Sequence, residues 1–186
     1  MANATATQLQ QLYIAYFARP GEPVGLDYWV NAGTSTKAFA ASMWAQQEFQ
    51  DVYGELSVKD QVNQLYINLF NREGDESGLE YWAGEISSGN MELASIANDL
   101  IYAANHAKGS EEDLACLNNR TFSAIAYTQL RRELDKGISI WPPIDWITTF
   151  KNQTKLNEVA KDWMKGICES IVIPTEELFI LSDNSP

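Results

Sequence analysis

The chain has 186 residues, 45% hydrophobic and 20% charged, with 13 Lys and Arg against 25 Asp and Glu for a net charge of -12. That length supports a sizeable core and the composition excludes a largely disordered chain. The acidity excludes a nucleic-acid binder, which must replace the counterions around phosphates, and it opposes bare anionic surfaces unless divalent cations bridge to them.

The first residues, Met1 to Gln8, carry no basic segment followed by an apolar stretch, and no apolar run in the chain is long enough to span a bilayer. The expectation is a chain that is either cytoplasmic or exported without an N-terminal signal.

An internal repeat dominates the N-terminal part of the chain. Residues 8–29 read QLQQLYIAYFARPGEPVGLDYW and residues 61–82 read QVNQLYINLFNREGDESGLEYW, an ungapped shift of 53 positions. Gln11, Leu12, Tyr13, Ile14, Phe17, Arg19, Gly21, Gly25, Leu26, Tyr28 and Trp29 recur as Gln64, Leu65, Tyr66, Ile67, Phe70, Arg72, Gly74, Gly78, Leu79, Tyr81 and Trp82. The same shift carries Ser42, Met43 and Phe49 onto Ser95, Ile96 and Tyr102, so each unit is expected to run on to about residues 60 and 113.

Each unit reads as three helices. Leu9, Leu12, Tyr13, Tyr16 and Phe17, and their counterparts Val62, Leu65, Tyr66, Leu69 and Phe70, fall on one helix face. In the turn after this helix, Gly21 and Gly74 suit a helix C-terminus needing positive φ, Glu22 and Asp75 sit at N-cap positions, and Pro23 suits the first helical position. A short helix then carries Leu-acid-Tyr-Trp. A third spans about Lys37–Val52, with its copy over Met91–His106.

Beyond the repeat, Leu114, Leu117, Thr121, Phe122 and Ile125 continue a helical period that Gly137 ends, and Trp141-Pro142-Pro143 is a break. Leu156, Val159, Ala160, Trp163, Met164 and Ile167 form a further amphipathic helix, and Ile171–Ile173 a short strand or an extended packing segment. The fold class expected is all-α: helical repeats over 1–60 and 61–113, C-terminal helices packed on them over 114–173, and a tail or linker over 174–186.

Candidate chemistry is sparse. His106 is the only histidine and cannot alone build a zinc or iron site; Cys116 and Cys168 have no metal-ligand spacing and are either two buried thiols or one disulfide. No nucleotide-binding glycine motif or catalytic constellation is present, so no catalytic residue, no metal ligand and no enzyme activity are expected. The loop Asn71–Gly78 has three acids compatible with calcium, but Arg72 within it opposes a cation and helix capping accounts for the acids. The sequons at Asn3, Asn119 and Asn152 carry no weight without a secretory signal. Four residues remain as ligand-binding candidates: Arg19 and Arg72, whose guanidinium fork fits an anion, and Tyr28 and Tyr81, whose flat rings suit sugars. For each, a structural role competes: tying down helix-end carbonyls or an acid of its own repeat for the arginines, packing beneath the turn for the Tyr-Trp pairs.

The pattern Leu-Tyr-x-x-x-Phe-x-Arg-x-Gly-acid-x-x-Gly-Leu-x-Tyr-Trp resembles the helical repeat catalogued as domain of unknown function 4214, itself similar to the phycobilisome linker domain. Residues Leu114–Tyr127 resemble the segment that comes after such repeats in bacterial, often cyanobacterial, surface proteins, so the likeness covers about residues 8–135. Pro20 and Glu73 depart from the pattern, as does the Glu22-Pro23 pair in one copy only. The resemblance implies a non-enzymatic cell-surface module, extracellular and exported by type I machinery. It would anchor a surface-layer or secreted protein to lipopolysaccharide or to neighbouring subunits. The alternative it implies is a cytoplasmic assembly scaffold akin to a phycobilisome linker; such linkers tend to be basic, which the charge of -12 opposes.

Overall fold

The computed structural model describes residues 2–106 and 110–136, together with Lys161 and Met164. The protein is all-α: the described residues form eight helices and no strand. The expectations for Gly137, Trp141–Pro143, Asn152, Cys168, Ile171–Ile173 and the tail 174–186 lie outside the described residues, as does most of the amphipathic helix containing Met164.

Helix α1 (Ala6–Phe17) opens on a capping box in which the Thr5 side chain accepts from Gln8 N and the Gln8 side chain accepts from Thr5 N. Every residue from Leu9 to Phe17 is buried. The sequence pattern implied one buried face. Instead α1 is the axis of the molecule, because α2 (Pro23–Asn31), α3 (Thr36–Trp44), α4 (Gln47–Tyr53), α5 (Val58–Phe70), α7 (Leu93–Ala104) and α8 (Glu111–Asp135) all pack on it. Helix α6 (Glu76–Ser87) is the exception, and rests chiefly on α5. Polar groups inside this core are satisfied locally: Tyr16 Oη donates to Ala94 O (2.5 Å), Tyr53 Oη to Ala15 O (3.1 Å) and Asn68 Nδ2 to the same Ala15 O (2.8 Å). Burial alone pushes the Tyr16 phenol far up.

The shift of 53 holds through the first two helices of each unit: α1 and α5 end, and α2 and α6 begin, in that register. It then fails. Helix α6 has 12 residues where α2 has 9, and one more residue is added in the next turn, so α3 and α7 begin 57 apart. Buried Phe39, Ala40 and Met43 then correspond to buried Ile96, Ala97 and Leu100. This corrects the pairing of Phe49 with Tyr102, since Phe49 is buried and Tyr102 is 64% exposed. The helix expected over 37–52 is likewise broken at Ala45–Gln46, so the first unit has four helices and the second three.

Leu12, Phe17, Leu26, Leu65, Phe70 and Leu79 are buried in one core, with Trp29 and Trp82 half-buried against it in matching places. Each fully buried Leu or Phe contributes about 1.5–3 kcal/mol. Met164 joins the same core. Cys116 is buried and disulfide-bonded. Asn119 is buried within α8, so its sequon is not accessible to a glycan.

Candidate functional site

The repeated motif builds the same small structure twice, at the C-terminal ends of α1 and α5. Each helix stops on a residue in the left-handed region, Ala18 (φ 52°) and Asn71 (φ 57°), whose N–H bonds back to Ile14 O and Ile67 O. Positive φ was expected at Gly21 and Gly74; neither lies in that region. Their glycine identity has another cause. The Tyr13 ring lies flat under the first turn, and a Cβ on Gly21 would sit 2.7 Å from Tyr13 Cδ2. On Gly74 it would meet Leu79 Cδ2 at 2.6 Å and Tyr66 Cδ2 at 3.0 Å. Gly25 meets the Tyr13 hydroxyl in the same way, at 3.0 Å. In the first clasp the tyrosine and both glycines are thus one packing unit; in the second, Gly78 lies at an ordinary 3.6 Å from the Tyr66 hydroxyl.

The arginine closes the clasp from the other side. Arg19 lies over the Tyr13 ring and Arg72 over the Tyr66 ring, at 5.7 and 5.5 Å from the ring centroids. Each donates from Nη1 to the carbonyl of the next residue, Pro20 O or Glu73 O (2.9 and 2.8 Å), and each pairs with the acid three residues on, Glu22 or Asp75 (2.8 and 3.9 Å). Each also makes a two-pronged pair with a carboxylate from elsewhere: Glu48 of α4 for Arg19 (2.9 and 2.7 Å) and Asp113 of α8 for Arg72 (both 2.7 Å). Two amides, Gln10 and Asn63, accept from Gly21 N and Gly74 N, each at 2.9 Å. They occupy matching places but differ in identity.

Electrostatics follow the packing. Burial pushes the Tyr13 phenol up to about 12; Glu22 adds to this, while Arg19 and a hydrogen bond from Trp29 oppose it. Burial alone would raise the Glu48 carboxyl, but the hydrogen bond and charge of Arg19, with Lys161 at 3.2 Å, leave it below its usual value. Arg120 of α8 is a buried cation held by the end of α5: it donates to Ile67 O (2.9 Å), Asn68 O and Asn71 Oδ1 (3.0 Å), and burial brings its pKa down to about 10.

The long helix α8 therefore serves both clasps. Its first turn supplies Asp113 to the second. Its far end serves the first: Thr128 Oγ1 donates to Gly21 O (2.7 Å) and accepts from Gln10 Nε2 (2.6 Å), and Arg132 pairs with Asp27. Sequence reading passed over Gln10, Asn63, Asp113, Arg120 and Thr128. Only the amide pair left a signal, as a side-chain amide present at the same position of both copies.

Of the four candidate ligand residues, Arg19 and Arg72 are engaged inside the clasps, Arg19 buried and Arg72 partly exposed. Tyr28 and Tyr81 face outward, 63% and 58% exposed, each ring held edge-on by the following Trp at 4.9 and 5.0 Å. None of the described interactions joins Arg19 to Tyr28, or Arg72 to Tyr81. Among the described residues no group of three His, Cys, Asp or Glu is placed to hold a metal ion, and no helix is long and apolar enough to cross a membrane. His106 is exposed and stacks on Tyr102, with ring centroids 3.8 Å apart.

The geometry defines an all-α protein whose repeated motif is a helix-end clasp carrying one outward tyrosine. Residues 40–108 match the model of a family described as a domain of unknown function, DUF4214. The match runs from within α3 to just beyond α7, so it includes the whole second clasp turn and leaves out the first. No curated protein and no solved structure matches the chain.

Proposed function

We propose that the protein is a non-enzymatic cell-surface module that anchors a surface-layer or secreted protein to lipopolysaccharide or to neighbouring subunits. The observation that carries this reading is the pair of outward tyrosines. The clasp uses the Tyr, both Gly and the Arg of its motif for its own packing. Tyr28 and Tyr81 are exposed in both copies and are left for an external contact. A clasp that consumes its polar groups in packing suits a binding surface better than a reaction centre.

The disulfide at Cys116 supports an oxidising compartment, where such bonds persist, and so favours the surface over a cytoplasmic linker-like scaffold. The charge of -12 opposes the acidic partners of a linker-like scaffold. Contact with lipopolysaccharide would need calcium to bridge the two anionic surfaces.

The test is fractionation of the native host, a Gram-negative and on this reading cyanobacterial cell, with binding to extracted lipopolysaccharide measured with and without calcium. Surface location with chelator-sensitive binding is expected. Surface location without glycan binding leaves attachment to neighbouring subunits. A purely cytoplasmic location overturns the reading in favour of the scaffold.

A further inference from the structure

The two clasps are not equally covered. Around the first, one face of α8 reaches three points: Gln10 Nε2 and Gly21 O both bond Thr128 Oγ1, and Asp27 pairs with Arg132. Thr128 and Arg132 are four apart and so share a helix face. In the 53-residue register the same three points on the second clasp are Asn63, Gly74 O and Glu80. Among the described residues no side chain reaches Gly74 O, the Asn63 amide makes only its bond to Gly74 N, and Glu80 makes no ion pair, although the charge of Lys59, paired with Glu76, reaches it.

Charge points the same way. Residues 2–106 hold thirteen carboxylates against four Lys and Arg. Three of those four cations are already engaged: Arg19 and Arg72 in the clasps, and Lys59 with Glu76. Glu76 and Glu80 of α6 are exposed, and α6 itself has no basic residue.

We infer that the flank of α6 formed by Asn63, Gly74 and Glu80 docks a helix of a partner protein that carries a hydroxyl residue and, four positions on, an arginine. The first clasp shows the occupant in place: α8 lies on α2 through such a pair. At the second clasp the hydroxyl would bond Gly74 O and Asn63, and the guanidinium would pair with Glu80. The proposal rests on the assembly reading only for where the partner is met; the contact itself is independent of compartment.

The experiment uses the full chain, labelled for amide NMR, and a stapled helical peptide with the sequence of residues 118–136. A control peptide carries Thr128→Ala and Arg132→Glu. The expected result is saturable shifts at Asn63, Gly74 and Glu80, absent with the control peptide. Glu80→Lys in the protein should weaken binding about tenfold while leaving the amide spectrum otherwise native. Shifts that map to α2, or that survive both the control peptide and Glu80→Lys, overturn the proposal. So does no shift at about 1 mM peptide, the weak limit of specific association. Binding of the unmodified protein to anionic lipopolysaccharide vesicles through this flank without calcium would also overturn it, since the flank would then prefer anions. Failure in any of these ways leaves surface location untouched, and a cytoplasmic location leaves the peptide result untouched.

Discussion

Helices α1 and α5 carry one motif and lead two different lives. Helix α1 is buried on every side for nine consecutive residues; α5 buries Val62, Leu65, Asn68, Leu69 and Phe70 along one face and exposes Ile67. Their clasps differ accordingly. Arg19 is sealed between Tyr13, Phe17, Glu22 and Glu48, whereas the Arg72 side chain is 38% exposed and its pair with Asp75 is stretched to 3.9 Å. The motif fixes the geometry of the turn. The surrounding packing fixes how much the turn matters to stability, and how much of it is left for others.

The largest expected effect breaks that comparison at the arginines. Arg19→Gln leaves two carboxylates partly buried without their main cation and should cost about 3 kcal/mol. Arg72→Gln acts at a more exposed site but strands the buried Asp113 carboxylate, and should cost about 2 kcal/mol. Chemical denaturation of both variants checks the ratio, and equal losses would mean that exposure does not separate the clasps. Acid sharpens the same contrast. The folded Glu48 carboxyl titrates below its unfolded value, so its contribution is fully present above about pH 4.3 and is lost as pH falls through the lower folded value. Arg19→Gln should flatten this part of the stability profile, and Arg72→Gln should leave it in place.

Next come the glycines. Gly21→Ala drives a methyl into the Tyr13 ring within a packed core and should cost about 2 kcal/mol. Gly74→Ala should cost somewhat less, because Leu79 Cδ2 and the half-buried Tyr66 ring can yield. Gly84→Ala has the opposite sign: nothing lies within 4 Å of its Cβ, it sits inside α6, and it should stabilise by about 0.5–1 kcal/mol. Thermal melts of the three variants would establish the order. Smallest of all, Tyr28→Ser and Tyr81→Ser should each change stability by less than about 0.5 kcal/mol. A larger loss would place these rings in the fold's own packing.

Much of the fold was legible because the hydrophobic period and the repeat agree over α1, α2, α5 and α6. The core positions Leu12, Phe17, Leu65 and Phe70 follow from that agreement. The register beyond α6 was not legible, since four added residues change it without disturbing local helix propensity, and an ungapped alignment then pairs buried Phe49 with exposed Tyr102. At the clasp, sequence reading found the arginines and offered them an acid of their own repeat without naming it, placing Glu22 and Asp75 as N-caps. It assigned the glycines the wrong reason, because a close-packed ring and a left-handed backbone both select glycine and leave the same letter. Partners such as Asp113 and Thr128 come from 41 and 107 residues away, where no local pattern points.

The bond between Gln10 and Thr128 spans 118 residues. At a synthesis rate of about 5–20 residues per second, the first helix waits on the order of 10 s before the helix that covers it is made. For that interval a segment destined for the middle of the molecule lies bare, apolar on several sides. Chaperone dependence in the cell, and slow refolding governed by distant contacts in the test tube, are the expected consequences of placing the first helix at the centre.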